Sequence, residues 1–322
     1  MRLVWLVHNA RAGRAGLIPQ VDEAAAALAR QGVDVRLVRH ADLPRLRQAA
    51  REAVAAQADA VLVAGGDGTL GALAGELAQT PVAFGALAAG TANVWAQAQQ
   101  LPRPTLFRPH TLARAALALL DAPARLTDLG RVNGAWFLSW TGLGLDADAV
   151  QQFERRRDVA RPGGGFLYNG LLTFGAARHL RGLDLRLRVS GPAGEREVSG
   201  RFLMATVCAI GLHGGGLFRF APEPDPTDGL MDLWAWRGDD FGTALAHAGR
   251  VLRGRHHGHP DVVRLTGGRF ELYTADPQAF HIDGEPQPAP AAQLAIDVVP
   301  RCLRVLTPSA PLAPTPAFRS TV

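Results

Sequence analysis

Short apolar strands alternate with Ala-rich helical segments through the first 125 residues, and this alternation constrains the fold more than any other feature. It predicts strands at residues 3–8, 33–38, 60–64 and 82–87, and helices at 18–31, 43–56 and 110–120. Strands that alternate with helices run parallel in one sheet, with helices covering both faces. We therefore predict a doubly wound α/β domain, whose ligands bind at the carboxyl ends of the strands.

After about residue 125 the pattern becomes mostly β. Asn133-Gly134 and the segment at 190–195 have the composition of tight turns between strands. Only the stretches 146–157 and 168–181 look helical. We predict an α/β domain at 1–125, a β-rich, sandwich-like domain at 126–300 and a disordered tail at 308–322.

The basic residues are all arginine, because the 34 Lys plus Arg of the sequence include no Lys. This absence excludes a Walker-type P-loop, the Lys–Glu pair of a protein kinase and Schiff-base chemistry, since each needs a lysine amine. The net charge of +5 fits weak attraction to anionic membranes or phosphates. The two cysteines, Cys208 and Cys302, match no zinc or disulfide pattern.

The cellular location follows from the apolar pattern. No apolar run approaches the ~20 residues that a membrane-spanning helix needs. The first ten residues are interrupted too early by polar side chains for a signal peptide. We therefore predict a cytoplasmic protein.

The strongest local signal is the loop Gly65-Gly66-Asp67-Gly68-Thr69, directly after the third predicted strand and before a helix. Glycines let the backbone approach a ligand closely, and the free N–H groups at a helix start form an anion site. A carboxylate in such a loop suits Mg²⁺ held between carboxylate and phosphate oxygens. The loop therefore suggests a nucleotide and a metal.

A second loop, Gly90-Thr91-Ala92-Asn93, follows the fourth predicted strand. Alone it could be a turn followed by a helix cap. Because the carboxyl ends of parallel strands meet at one edge of a sheet, we expect the two glycine loops to share a cleft. The first loop also matches a dinucleotide fingerprint, but residues 77–120 hold no acidic side chain for the ribose, which argues against a dehydrogenase.

Together the two loops resemble the diacylglycerol kinase catalytic domain family, which includes sphingosine, ceramide and bacterial lipid kinases. The resemblance continues in register over most of residues 1–307. It includes Asn9-x-x-x-Gly13, Thr127–Gly130, Gly142–Asp146, Gly214–Gly216 followed by Ala221-Pro222, Asp228–Asp232, and Ile282–Pro286. The chain departs from the family pattern at Ala10 and at Ala88-Ala89, where relatives carry proline.

The resemblance implies an α/β domain like those of NAD kinase and diacylglycerol kinases, a β-rich lipid-binding domain, a cleft between them, and a strand near 301–307 that returns to the first domain. The implied reaction is transfer of the γ-phosphoryl group of ATP to a lipid hydroxyl, with ATP and Mg²⁺ as cofactors. The implied partner is a lipid substrate, reached by peripheral contact with the inner membrane face. A homodimer and no nucleic acid are also expected.

The resemblance assigns roles to individual carboxylates. Asp283 matches the general base that takes the proton from the lipid hydroxyl, and Asp67 would organise the nucleotide and the catalytic Mg²⁺. Glu285 would share a strand face with Asp283 if the strand continues through Gly284; the alternative is that Gly284 breaks the strand. Asp128 matches another acidic active-site position. Two structural alternatives stay open: Asp283-Gly284 as an ordinary hairpin turn, and Asp128 as a solvated strand end.

Nucleotide and metal ligands are assigned in the same way. The predicted nucleotide-binding residues are Asn9, Gly65, Gly66, Asp67, Gly68, Thr69, Gly90, Thr91 and Asn93. Asp228 is expected to bind a structural Mg²⁺ through its carboxylate, helped by main-chain carbonyls such as those of Asp225 and Leu230. The alternative is that Asp228-Gly229 is an ordinary turn before a strand. The run from His256 to His259 has no cysteine at ligand spacing and is expected to form an exposed loop.

Two other functions stay open. NAD kinase shares the Gly-Gly-Asp-Gly loop, although its second Gly- and Thr-rich loop has no counterpart here. A non-catalytic lipid- or nucleotide-binding regulator would be favoured by loss of Asp67 or Asp283, and both are present. For lipid access, apolar residues around 163–174, such as Phe166 and Leu167, are candidates for a cap over the lipid pocket.

Overall fold

The computed structural model describes residues 2–13, 17–104, 110–155, 181–221 and 224–308. The chain divides into two units: unit 1 contains residues 1–127 and 301–322, and unit 2 contains residues 128–300. The helix predicted at 168–181, the cap predicted around Phe166 and the tail predicted at 308–322 lie almost wholly outside the described residues.

Unit 1 is a parallel sheet with helices on both faces. Its strands are β1 (Leu3–Asn9), β2 (Asp34–His40), β3 (Ala60–Gly65) and β4 (Ala83–Ala88). Its helices are α1 (Ile18–Arg30), α2 (Leu43–Ala55), α3 (Asp67–Leu77), α4 (Val94–Ala98) and α5 (Thr111–Leu120). The strand order is β4–β3–β1–β2, and the end of the last strand of the chain, β17 (Ala291–Leu306), pairs in parallel with β4. The doubly wound prediction is confirmed.

Alternate strand residues face the two helical layers. Val4, Leu6 and Leu62 are buried in one core with α1 and α5, while α2 and α3 contact the sheet through the intervening residues, such as Val7 and Val63. Full burial of each Leu or Val contributes about 1.5–3 kcal/mol. This two-sided burial explains why β1, β3 and β4 are almost continuously apolar in sequence, whereas the end strand β2 is largely exposed and polar.

Unit 2 is a mostly antiparallel β-domain, so the β-rich second domain is confirmed. Its strands are β5 (Ala124–Val132, which begins in unit 1), β6 (Ala135–Phe137), β7 (Trp140–Gly144), β8 (Leu183–Gly191), β9 (Gly194–Cys208), β10 (Leu212–His213), β11 (Phe218–Arg219), β12 (Met231–Arg237), β13 (Val262–Gly267), β14 (Arg269–Gln278), β15 (Phe280–Ile282), β16 (Glu285–Pro286) and the first part of β17. Its helices are α6 (Leu145–Arg155) and α7 (Phe241–Leu252), with a short 3-10 turn at Gly214–Gly216.

One path of neighbouring strands, β16–β15–β7–β9–β8–β14–β17, organises this domain. The long strand β9 pairs with β8 through its first half and with both β7 and β12 through its second half. The inward-facing apolar side chains of these strands form a single buried cluster. The pairing of β7 with β15 places the segment after Phe137 beside the turn that follows Ile282, and this neighbourhood matters for the site.

The sequence pattern does not predict α7. Its sequence, FGTALAHAGRVL, holds only one charged residue, Arg250, so the usual alternation of apolar and charged faces is missing. The cap is nevertheless a clear signal: the Asp240 carboxylate accepts hydrogen bonds from the Thr243 N–H at 2.9 Å and from its hydroxyl at 3.1 Å.

The expectation that the histidines at 256–259 form an exposed loop is wrong for His256. This side chain is buried, and its Nε2 lies 2.8 Å from the Phe220 carbonyl oxygen. Its ring also contacts Trp234. The segment therefore closes part of the β-domain core.

Candidate functional site

Three loops of unit 1 meet where β1, β3 and β4 end. Asn9 Nδ2, at the end of β1, donates a hydrogen bond of 2.8 Å to Thr69 Oγ1. The Ala89 N–H, after β4, donates to the Gly65 carbonyl oxygen at 3.1 Å. Gly66 and Gly90 approach so closely that a Cβ on Gly90 would lie 2.3 Å from the Gly66 Cα. The structure thus brings together the predicted nucleotide-binding residues from three separate parts of the sequence.

Asp67 connects the two glycine loops. It lies in the first turn of α3, and its carboxylate accepts hydrogen bonds from the N–H groups of Val94 at 3.0 Å and Trp95 at 2.9 Å. Burial raises the pKa of Asp67 above its ordinary value, and the backbone donors oppose that rise. The carboxylate therefore caps α4, which the sequence pattern did not predict, and fixes the loop before it.

Asn93 closes the second loop on itself. The residue has a left-handed φ of 52°, and its side-chain Oδ1 accepts from the Gly90 N–H while its Nδ2 donates to the Gly90 carbonyl, both at 2.7 Å. Thr91 lies between them and is exposed, whereas Thr69 is buried and accepts from Asn9. Of the two predicted threonines, Thr91 is the one placed to meet a ligand.

Gly13→Ala should disrupt this edge of the sheet. Gly13 has a φ of +69°, and a Cβ there would lie 2.1 Å from the Ala89 carbonyl oxygen. Backbone must move, so we expect the free energy of unfolding to fall by about 2–4 kcal/mol and ATP binding to weaken at least about tenfold. Denaturant unfolding and nucleotide titration measure these two effects.

Gly32→Ala is the matched control. Gly32 also has a positive φ, +77°, but a Cβ there would meet no atom within 4 Å. This variant isolates the cost of the left-handed backbone, about 1–2 kcal/mol, and should bind ATP normally. Equal effects of the two substitutions would contradict the close approach at Gly13.

His8, just before Asn9, is a buried residue with a partner that the sequence did not reveal. Arg39 Nε donates to His8 Nδ1 at 3.0 Å. Burial and the neighbouring Arg39 guanidinium lower the pKa of His8 to about 4. His8 is therefore a neutral acceptor at pH 7, and it holds Arg39 beside the loop that follows β1.

In unit 2, Asp283 and Gly284 form the two-residue turn between β15 and β16, with φ values of 49° and 77°. The Asp283 carboxylate is buried and accepts hydrogen bonds from three backbone N–H groups. These donors are Leu138 at 2.8 Å, Ser139 at 2.7 Å and Trp140 at 3.2 Å. The residue is thus both a hairpin turn and a carboxylate whose charge is stabilised by backbone donors.

Of the two alternatives for Glu285, the structure shows that the strand is broken at Gly284. Asp283 and Gly284 are both in the turn, and Glu285 begins β16 opposite Ile282. Glu285 is partly buried. The period-two rule for strands therefore does not relate the two carboxylates.

Asp128 is buried and lies in β5, so the solvated strand end is excluded. Its N–H donates to the Pro226 carbonyl at 2.7 Å, and its Oδ2 accepts from the Gly229 N–H at 2.6 Å. These contacts place Asp128 against the loop that carries Asp225 and Asp228. Its role in the structure is to hold that loop.

The loop predicted to bind metal is exposed, and its turns are closed by hydrogen bonds to its own aspartate side chains. Asp225 Oδ1 accepts from the N–H and the hydroxyl of Thr227, and Asp228 Oδ1 accepts from the Leu230 N–H at 2.9 Å. Within the described ranges, no group of three or more His, Cys, Asp or Glu could hold a metal ion. A metal here would therefore rely on the Asp228 carboxylate, main-chain carbonyls and water.

A buried cluster that the sequence analysis missed lies next to the Asp283 turn. Asp146, at the start of α6, accepts from His213 Nε2 at 2.9 Å and from His281 Nε2 at 2.7 Å. Burial alone would raise the pKa of Asp146, but the two histidines hold that pKa well below its ordinary range. His213 adjoins the glycine turn and His281 lies two residues before Asp283, so Asp146 connects both to α6. The available signal was that Asp146 ends one recognised motif, while His213 and His281 each directly precede another.

A chain with a parallel α/β unit that has glycine loops at its strand ends, and with a second, antiparallel β unit, has the two units of a diacylglycerol-kinase-type protein. Residues 3–132 match the diacylglycerol kinase catalytic domain family, and residues 141–307 match the YegS C-terminal NAD kinase beta sandwich-like domain. The chain belongs to the family of diacylglycerol kinases and YegS-like lipid kinases.

Individual relatives agree with this assignment. The chain is 31% identical over 267 residues to the probable lipid kinase YegS-like protein of Pseudomonas aeruginosa, covering 82% of this chain and 81% of the relative. It is 29% identical over 311 residues to a diacylglycerol kinase of Mycobacterium tuberculosis, covering 95% of each chain. The crystal structure of a diacylglycerol kinase from Bacillus anthracis shares the fold, with a TM-score of 0.65 at 16% identity over 95% of this chain and 97% of that one.

Among the described residues, no helix is both long and apolar enough to cross a bilayer.

Both cysteines are buried and unpaired with each other. Burial raises the pKa of the Cys208 thiol. The thiol is therefore uncharged at neutral pH.

Proposed function

We propose that the chain is a lipid kinase that transfers the γ-phosphoryl group of ATP to a hydroxyl group of a lipid. The observation that carries this proposal is the meeting of three loops at the ends of β1, β3 and β4, where Asp67 holds the two glycine loops together. The family to which the chain belongs, and the names of its relatives as diacylglycerol and lipid kinases, support the same reaction class.

The nucleotide is proposed to bind unit 1 at these loops. The start of α3, at Asp67 and Gly68, presents free backbone N–H groups, which bind phosphate oxygens well. The exposed Thr91 adds a hydroxyl and an N–H from the second loop. Mg²⁺ fits this place because a carboxylate beside phosphate oxygens is the combination of ligands that Mg²⁺ prefers. Bound there, Mg²⁺ would neutralise charge on the phosphates.

The acceptor chemistry is proposed to depend on Asp283. Three N–H donors hold its carboxylate in one orientation, as a general base requires. Asp146 and its two histidines support the strand that leads to this turn. Glu285, at the start of β16, is proposed as a second acidic group near the acceptor.

The loop from Asp225 to Leu230 is proposed as a structural Mg²⁺ site. The exposed Asp228 carboxylate and nearby main-chain carbonyls are the oxygen ligands that Mg²⁺ prefers, and water would complete the coordination. Asp128 would then stabilise the metal loop, not act on substrate.

A phosphoryl-transfer assay tests the function. Purified protein is mixed with radiolabelled ATP, Mg²⁺ and, in separate reactions, diacylglycerol, a sphingoid base, ceramide, monoacylglycerol, phosphatidylglycerol or NAD. We expect label in one lipid, and none when EDTA replaces Mg²⁺. Label in NAD would establish the NAD kinase alternative. ATP binding without transfer to any acceptor would establish the regulator and overturn the proposal.

A further inference from the structure

The outward face of α7 is apolar. Leu245 and Leu252, seven residues apart on one side of the helix, are 55% and 64% exposed, and Ala246 between them is exposed as well. The polar His247 instead faces inward, where its Nε2 lies 2.9 Å from the Arg237 carbonyl oxygen. A surface helix normally shows the opposite arrangement. The two leucines are also the most exposed of the large apolar side chains in the described part of the chain.

Three arginines surround the end of this helix. Arg250 lies in its last turn, and Arg253 and Arg255 follow it, both exposed. Arg253 Nη1 donates to the Gly249 carbonyl oxygen, which holds its guanidinium beside the apolar face. In the residues that the structure describes, none of the three guanidinium groups is paired with a carboxylate. The apolar face is thus bordered by positive charge.

We propose that α7 is a membrane-docking helix that rests on a bilayer containing anionic lipid. Leu245 and Leu252 enter the boundary between headgroups and acyl chains, and Arg253 and Arg255 contact the anionic headgroups. An anionic bilayer matches both the apolar face and its basic border. This inference rests on the proposed function, because a kinase that acts on a lipid must reach one at a membrane surface.

The chemistry of this surface predicts weak and reversible binding. Two leucines bury little apolar area, so electrostatic attraction must supply much of the affinity, and salt screens that attraction. Long arginine side chains keep their charge in the headgroup layer while their stems cover apolar surface. Binding should therefore need both kinds of residue, and should weaken as ionic strength rises.

Vesicle co-sedimentation tests the docking helix. Vesicles of phosphatidylcholine with phosphatidylglycerol, and of phosphatidylcholine alone, are mixed with the wild-type chain, the Leu245→Glu/Leu252→Glu variant and the Arg253→Glu/Arg255→Glu variant. We expect the wild type to bind the anionic vesicles and each variant to lose at least about tenfold in partitioning. Leu37→Glu is the matched control, because Leu37 is an exposed leucine on β2. A wild type that ignores anionic vesicles, or a leucine variant that binds like Leu37→Glu, would overturn the inference.

Transfer to a short-chain, water-soluble diacylglycerol separates this inference from the proposed function. The leucine variant should phosphorylate the soluble acceptor at the wild-type rate while losing activity on vesicle lipid. If the wild type binds vesicles through α7 but phosphorylates no acceptor, docking stands and the proposed function fails. If the leucine variant loses both substrates equally while its unfolding free energy is unchanged, α7 has a role other than docking.

Discussion

Asp67→Ala is expected to lower the free energy of unfolding by about 2–4 kcal/mol and to abolish ATP binding. The substitution removes the acceptor of the Val94 and Trp95 N–H groups. Leaving a buried donor without a partner costs about 1–3 kcal/mol each. The second glycine loop then loses the contact that fixes it beside the first. The two loops no longer form a single binding site for the phosphates.

Asp67→Asn separates the structural and ionic parts of this effect. The amide oxygen can still accept one of the two N–H groups, so we expect about half the loss of stability. The charge is gone, so Mg²⁺-dependent ATP affinity should still fall at least about tenfold. Denaturant unfolding and titration of ATP with and without Mg²⁺ measure both effects.

Asp59→Ala provides the matched control. Asp59 Oδ2 accepts from the Leu3 N–H at 2.8 Å, at the amino ends of the strands and therefore away from the loops. Its loss should cost about 1 kcal/mol and leave ATP binding unchanged. If Asp67→Ala bound Mg²⁺ and ATP like Asp59→Ala, Asp67 would have no part in the nucleotide site.

Asp283→Asn is expected to lower the rate of phosphoryl transfer by about 10²–10⁴-fold while the fold survives. Asparagine followed by glycine is a preferred pair for a two-residue hairpin turn, so the backbone with φ values of 49° and 77° is retained. The amide oxygen can accept from Ser139 and Trp140, while the Leu138 N–H loses its acceptor. We expect about 1–2 kcal/mol of lost stability.

Comparing the transfer rate with the ATP affinity shows whether Asp283 acts in the chemical step or only stabilises the fold. ATP binding should be unchanged in Asp283→Asn, because the proposed nucleotide site lies wholly in unit 1. Asp283→Ala, which removes all three hydrogen bonds, should cost more than 2 kcal/mol. If Asp283→Asn transferred phosphate within twofold of the wild-type rate, the residue would be a structural turn, and the general base would have to be sought elsewhere.

Local patterns in the sequence predict most of the strands and helices of the α/β unit. Each buried strand is a short apolar run, and each is followed by a turn residue and an Ala-rich helix, so the elements can be recognised without their neighbours. The loop from Gly65 to Thr69 can also be recognised locally, because its closely spaced glycines directly precede the start of a helix. The Asp283-Gly284 turn is likewise a two-residue signal.

The missed elements depend on partners that are distant in sequence. Helix α4 has five residues and is capped by a carboxylate 27 residues away, so nothing inside it predicts a helix. Helix α7 has an unusual outward face, which hides the pattern that helices normally show. The sequence left open whether Asp283 and Glu285 share a strand face, and the pairing of Ile282 with Glu285 shows that the turn at Asp283-Gly284 interrupts the strand period.

Neighbouring side chains and backbone preferences are enough to predict the alternation of strands and helices in unit 1, the glycine loops and the turn residues. Which side chains meet depends on the folded chain. Asp67 caps α4, Asp128 holds the loop at 226–229, and Asp146 joins His213 to His281 across 67 and 135 residues of chain. Such contacts arise from the pairing of distant strands, and buried polar groups must find whichever partners that pairing provides.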